Sequence, residues 1–375
     1  MRLIWYIVIL FIAYGSLYPF DFEMGRDLPA DFSQWLFSWH HRTIRSDLIA
    51  NILLFIPYGF FSALTIKEEK RQWPLLWLVM TFIGGFLFAL LLQVLQFYLP
   101  SRIAEAADAL TNSIGILIGF AIAGFTNSQR VQRLIPRGLR FQLTPALLVL
   151  TLWLAWQFFP YIPVFESKQF GDGLNNIAQS NWSLELWLER ILFWMVFYYV
   201  LERVVAKKYS MTVIIGITVF VLIIKLAMFR SQLGWSEITA VPLAILLHSY
   251  IGHGFKVALV ALGAAILFCW QNVIPWQWQN TPNSFEWMPF DNFLTGSTWN
   301  NLSALLRESL LLASFGYFLG KWLSSYKTAG AVLTAFVVLV TALQFFIVGK
   351  QPDSTSIIMA IVLAILFQRL ARIAP

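Results

Sequence analysis

Apolar residues run along this chain in long stretches separated by short polar segments. Twelve stretches approach the roughly 20 mostly apolar residues that a bilayer span needs. They are Leu3–Tyr18, Asp47–Leu64, Pro74–Leu99, Ala107–Phe125, Thr144–Phe159, Leu184–Val205, Met211–Phe229, Thr239–Ile251, Phe255–Ile274, Leu302–Leu323, Thr328–Val348 and Ser354–Leu370. All are too long for barrel strands. Each is predicted to be a helix, because a spanning segment must satisfy its backbone hydrogen bonds within itself. The eighth is short and reads either as a span or as a re-entrant segment. The first follows Arg2 like a secretory leader. It continues to Tyr18 without a small-x-small cleavage site, so it is read as a retained span. The predicted fold class is all-α, a polytopic transmembrane helical bundle of about twelve spans.

Composition agrees. Of 375 residues, 59% are hydrophobic and 12% charged, against roughly 25% charged in a soluble domain. The net charge of +7 does not point to nucleic acid, because the basic residues are scattered through short loops and form no single stripe. Sixteen Lys and Arg fall in segments on the N-terminal side of the predicted membrane and seven on the other, with Arg190, Lys225 and Arg307 inside spans. That bias places both termini in the cytoplasm. The expected surrounding partners are membrane lipids. The three longest loops, about residues 19–46, 160–183 and 275–301, then lie outside.

Those loops suggest an internal threefold repeat of four helices, with blocks at 1–126, 140–251 and 254–372. Each long loop carries a Pro-aromatic element: Tyr18-Pro19-Phe20-Asp21, Pro160-Tyr161-Ile162-Pro163 and Pro289-Phe290-Asp291. The run Asn51–Phe60 aligns with Glu308–Tyr317, and more loosely with Glu189–Phe193. Leu95-Gln96-Phe97 aligns with Leu343-Gln344-Phe345 and with Ala227-Met228-Phe229. In this register an acid follows nine residues later each time, as Glu105, Glu237 and Asp353. Arg102 and Lys350 stand three residues before the first and third acids.

Ionisable groups in hydrocarbon cost roughly 2.5–3.5 kcal/mol each at a helix centre and usually face protein or water. Their positions therefore mark candidate sites. In the first block Asp47 and Asn51 share one helix face, Gln93 and Gln96 another, and Asp108 and Asn112 a third; Arg102 and Glu105 lie in the outer connection. All eight are expected at the outer ends of their helices and form the candidate ligand-binding set. The repeat counterparts are Glu185, Glu189, Lys225 and Glu237 in the second block, and Glu308, Gln344, Lys350 and Asp353 in the third. In the third block Ala304, Ser356 and Ala360 replace the expected acids and amide, so the first block is read as the best preserved. Helix capping and interface geometry explain the same residues without a ligand.

The first block resembles the VanZ-like family of bacterial membrane proteins. The resemblance covers about residues 16–125. It rests on Ser16-Leu17-Tyr18-Pro19-Phe20, on Asp47–Phe60 with its Asn-x3-Phe-x-Pro-x-Gly core, on Gln96 and Arg102, and on Asp108-x3-Asn112-x2-Gly115-x3-Gly119. The family pattern carries Glu where this chain has the uncharged Gln93, which removes any cation or proton chemistry that Glu performs. The resemblance implies an envelope role, the family being named for a protein associated with low-level resistance to the glycopeptide teicoplanin, and it names no reaction.

Three readings of function remain open. The first is binding or movement of an amphiphile such as a lipid head group, a lipid-linked glycan precursor or a lipophilic glycopeptide. Arg102 would meet a phosphate, and Trp276-Gln277-Trp278 and Trp287-Met288-Pro289-Phe290 would cover acyl or sugar faces. The second is an outer-leaflet, metal-assisted enzyme using Asp47, Glu105 and Asp108. Against it, His40, His41, His248 and His253 show no ligand spacing, Cys269 is the single cysteine, and no G-x-S-x-G occurs. No catalytic residue, resident metal or cofactor is therefore assigned. The third is a non-catalytic envelope scaffold.

Overall fold

Every one of the twelve apolar runs is a helix. The computed structural model describes residues 1–23, 45–102, 104–127, 143–159, 161, 164, 167–205, 209–228, 233–294 and 298–373. Among them the order is α1 (Arg2–Leu17), α2 (Arg45–Glu68), α3 (Pro74–Phe97), α4 (Asp108–Asn127), α5 (Pro145–Gln157), α6 (Ser167–Gln179), α7 (Leu184–Val204), α8 (Met211–Leu226), α9 (Trp235–Tyr250), α10 (His253–Val273), α11 (Asp291–Leu294), α12 (Thr298–Trp322), α13 (Tyr326–Gln344) and α14 (Thr355–Ile373). The described residues form no strand, only two isolated bridges. The protein is all-α.

Among the described residues, six helices are long and apolar enough to cross a membrane: α3, α4, α10, α12, α13 and α14. The expectation of about twelve spans rests on the others as well. Helices α1, α5 and α8 are apolar but have 16, 13 and 16 residues. At 1.5 Å per residue α5 covers only about 20 Å of a core roughly 30 Å thick. Helix α7 is long enough, but Glu185, Glu189, Arg190, Glu202 and Arg203 interrupt its apolar character.

The chain divides into two compact units, Met1–Ile135 and Pro136–Pro375. The first holds the first expected block, and the second holds the other two. In the first unit α1 and α2 run antiparallel: the α-amino group of Met1 meets Glu68 at 2.6 Å, and Arg2 pairs with Glu69. Helices α2 and α4 run parallel with their backbones in contact. A Cβ at Gly115 would lie 2.2 Å from the Ile52 carbonyl oxygen, one at Gly119 2.3 Å from that of Ile56, and one at Gly59 2.2 Å from that of Ile116. The Gly-x3-Gly spacing of α4 thus gives a small-residue seam of the kind used between membrane helices. Ile12, Phe55, Tyr58, Ala89, Leu92, Ala109 and Ile116 fill the space among the four helices. Outside, α3 exposes Leu76, Met80, Ile83, Leu87 and Leu91, an apolar surface suited to lipid.

In the second unit every residue of α7 from Glu189 to Val200 is buried. From Ile191 to Val200 the segment is apolar on all sides, and such a segment belongs in a core. Trp153 stacks on Phe197 at 4.0 Å and meets Trp194 edge-on at 5.2 Å. Helix α12 packs against α5, α10, α13 and α14. The connection after α10 folds back on the α13–α14 turn: Gln279 N–H donates to the Phe346 carbonyl at 2.8 Å, and Glu286 N–H to that of Pro352 at 2.9 Å. Trp278 stacks on Phe346, and Phe285 on Phe345. Trp276, Trp278 and Trp287 nevertheless stay largely exposed, while Phe290 is buried.

Candidate functional site

The first unit gathers most of its predicted polar residues at the end of the helices opposite Met1. The Gln93 side-chain oxygen Oε1 accepts the Glu105 N–H at 3.1 Å. Gln96 donates through Nε2 to the Ser16 carbonyl at 2.8 Å. Arg102 donates through Nε to the Tyr18 carbonyl at 2.9 Å and through Nη2 to that of Gly15 at 3.4 Å. The last turn of a helix leaves carbonyls without intrahelical donors, so Gln96 and Arg102 both cap α1. Glu105 accepts the Asp108 N–H through its carbonyl at 2.9 Å, which starts α4. Asp108 and Asn112 are buried on α4, and Asn112 Oδ1 accepts no hydrogen bond among the described residues. Asn51 is half-buried on α2. Asp47 belongs to the first turn of α2, but its side chain lies outside the described residues, as do His40 and His41.

The residues aligned with these in the other two expected blocks make contacts of their own. Gln344 donates to the Asn272 carbonyl at 3.3 Å and to its side-chain oxygen at 3.0 Å. Lys350 donates to the Gln271 carbonyl at 2.7 Å. Both therefore bind the last turn of α10, as Gln96 and Arg102 bind that of α1. Glu308, aligned with Asn51, receives the hydroxyl of Ser356, aligned with Asp108. Asp353 accepts the Thr355 N–H at 2.8 Å and caps α14. The Pro-aromatic element that follows the third block's first helix is Ile274-Pro275-Trp276, not Pro289-Phe290-Asp291. A positive φ does not separate the two, since Phe290 has 64° and Phe20, Tyr161 and Trp276 have 66°, 62° and 58° directly after Pro19, Pro160 and Pro275; a hydrogen bond does. The residue four positions beyond each proline donates its N–H to a carbonyl at the end of that block's third helix: Glu23 to Tyr98, Val164 to Ala227 and Gln279 to Phe346.

The second block differs most in content. It buries full charges where the first has amides. Lys225 Nζ lies 2.5 Å from Glu237 Oε2, whose other oxygen accepts Gln157 Nε2 at 2.9 Å and Trp194 Nε1 at 3.2 Å. Glu189 accepts Gln271 Nε2 at 2.8 Å and pairs with Arg307, which lies 3.6 Å from Glu185. The Arg190 guanidinium sits over the Trp156 ring at 4.4 Å. A second buried cluster joins His248 to Glu202 at 3.4 Å and Lys256 to the His248 carbonyl.

Gln157, Gln271 and Trp194 were absent from the sequence-based set. The signal for the two glutamines was present, since each is polar near the end of an apolar run. Trp194 carried none, because a tryptophan in an apolar run reads as core. No three His, Cys, Asp or Glu side chains form a metal-binding group among the described residues.

Residues 3–127 match the VanZ/LLP1 family model. The chain is similar to protein VanZ of Enterococcus faecium, with 24% identity over 120 residues that cover 28% of this chain and 68% of that protein. No solved structure matches the chain. The similarity to the VanZ/LLP1 family thus lies in residues 3–127 of this membrane-helical chain.

Proposed function

We propose that the protein binds an amphiphilic component of the bacterial cell envelope from the outer side of the plasma membrane, with both termini in the cytoplasm. The class comprises lipid head groups, lipid-linked glycans and lipophilic glycopeptides. One observation carries this reading. Arg102 is held on the carbonyls of Gly15 and Tyr18 yet remains solvent-exposed, at the polar end of a unit whose helix flanks are apolar. Carbonyl contacts orient the guanidinium without neutralising it, which leaves its charge available to a phosphate or carboxylate. The exposed Trp276, Trp278 and Trp287 suit an interfacial position. The metal-assisted reading gains no support among the described residues, and the Asp47 side chain lies outside them.

The three groups of helices are best read as degenerate repeats, with the second and third serving at least as scaffold. The shared helix-end contacts of Gln96 with Gln344, and of Arg102 with Lys350, support that reading.

Mass spectrometry of lipids retained by the purified protein tests the function. Arg102→Ala is expected to lose selectively retained anionic amphiphiles. An unchanged profile of bulk lipid in both proteins would overturn the proposal.

A further inference from the structure

Three exposed basic side chains of the second unit converge at the end of its helices opposite Gln271 and Lys350. Arg203 comes from the last turn of α7, His253 is the first residue of α10, and Lys321 lies in the last turn of α12. Arg203 Nη2 lies 3.2 Å from His253 Nε2. The Arg203 guanidinium sits 5.3 Å from the centroid of the Tyr199 ring, and His253 stacks on that ring at 5.5 Å. Tyr199 meets Tyr317 edge-on at 6.2 Å, and Lys321 Nζ lies 5.8 Å from the Tyr317 centroid. Two adjoining tyrosines thus gather basic groups from three helices, within the range of ring attraction.

No acid balances them. Among the described residues, Arg203, His253 and Lys321 form no ion pair with a carboxylate. The neighbouring Glu202 is directed elsewhere, to His248 Nε2 at 3.4 Å and the Tyr209 N–H at 3.3 Å. Lys256, one turn into α10, is buried against the His248 carbonyl and adds positive charge behind His253. Like charges repel, so long basic side chains serving only solubility would spread into water; here aromatic contacts hold them together. Tyr250, Phe255 and Trp322, close to these cations in sequence, are all exposed. Such aromatic side chains sit at the membrane–water interface, which sets the patch at the depth of lipid head groups.

We infer that Arg203, His253 and Lys321 form a binding site for the phosphate of an anionic phospholipid head group. Basic clusters between spanning helices recognise acidic head groups in this way. On the proposed topology this lipid belongs to the inner leaflet, on the side of the membrane opposite the amphiphile proposed for Arg102. The site itself depends on neither Arg102 nor the function proposed for the first unit.

Native mass spectrometry of the full chain carrying Arg102→Ala tests the assignment, with dioleoylphosphatidylglycerol and dioleoylphosphatidylcholine as lipid probes and glycerol 1-phosphate as a soluble phosphate. The background removes the first-unit cation, so failure of the function proposed there leaves this measurement intact. Preferential retention of phosphatidylglycerol is expected. Arg203→Gln and Lys321→Gln should each weaken that preference about fivefold, the worth of one basic side chain beside an anionic surface. Both side chains are exposed, so both variants should fold. Arg372→Gln removes an exposed cation from the last turn of α14 that makes no contact with the cluster among the described residues, and it should leave the preference unchanged. The assignment is overturned if the two lipids are retained equally, if either cluster variant keeps the full preference, or if Arg372→Gln loses as much as they do. Binding of glycerol 1-phosphate without a preference between the lipids would give the patch to a soluble phosphate and overturn it too.

Discussion

Lys225 and Glu237 meet at 2.5 Å across twelve residues of sequence, and Gln93 meets the backbone of Glu105 at 3.1 Å across the same separation. One geometry, the end of a third helix against the start of a fourth, thus carries an ion pair in one block and a neutral hydrogen bond in another. The neutral version avoids desolvating two charges. The charged version demands that every partner stay in place.

Removing one partner of the charged version is predicted to cost about 3–5 kcal/mol, because the other remains buried and uncompensated. Lys225→Met should lower the melting temperature in detergent sharply. The double variant Lys225→Met/Glu237→Gln should recover a large part of the loss, since glutamine still accepts from Gln157 and Trp194. A double variant no more stable than Lys225→Met would remove the pair from this account.

The α2–α4 seam makes a steric prediction. Gly119→Val places a branched side chain where the backbone of Ile56 lies, and overpacking of this kind costs about 1–3 kcal/mol or more. Loss of monodisperse protein by size exclusion is expected. Gly124→Ala, which meets nothing within 4 Å, is the control and should behave as wild type.

The helix-end contacts predict parallel behaviour in two blocks. Gln96→Leu strips a donor from the Ser16 carbonyl, and Gln344→Leu strips one from that of Asn272. Each should destabilise by about 1–3 kcal/mol, the cost of a buried polar group left unsatisfied. Thermal unfolding followed by tryptophan fluorescence measures both. An effect in one block alone would argue against equivalent roles.

Orientation is open to labelling. With Cys269 replaced by alanine, Ser101→Cys is expected to react with an impermeant maleimide in intact cells, and Gln72→Cys only after lysis. Both positions are exposed, so accessibility reports the side of the membrane. The reverse pattern would invert the assigned topology.

Much of the fold was legible because apolar run length is a strong signal. All twelve runs are helices, and the polar end of the first unit was recovered from the positions of Gln93, Gln96, Arg102 and Glu105. Their partners were not legible. Gln96 and Arg102 looked like ligand-facing groups, yet their first partners are the carbonyls at the end of α1. A backbone carbonyl looks the same in every residue, so nothing in the sequence marks which ones need an outside donor. The shift of the third Pro-aromatic element from Pro289 to Pro275 has a similar origin: both prolines precede an aromatic residue with a positive φ, and the hydrogen bond from Gln279 to the Phe346 carbonyl, distant in sequence, distinguishes them.

By itself, then, the sequence determined the all-α membrane character, the helix positions and the end of the first unit where polar groups collect. These follow from hydrophobicity and period, which are properties of neighbouring residues. Tertiary structure decided that Gly59, Gly115 and Gly119 form a backbone seam, and that Glu189 and Glu237 take their cations from other helices, Arg307 and Lys225. Each of these depends on distances between residues far apart in the chain. Charge pairing is settled by which groups end within hydrogen-bonding reach, and the order of residues does not state that.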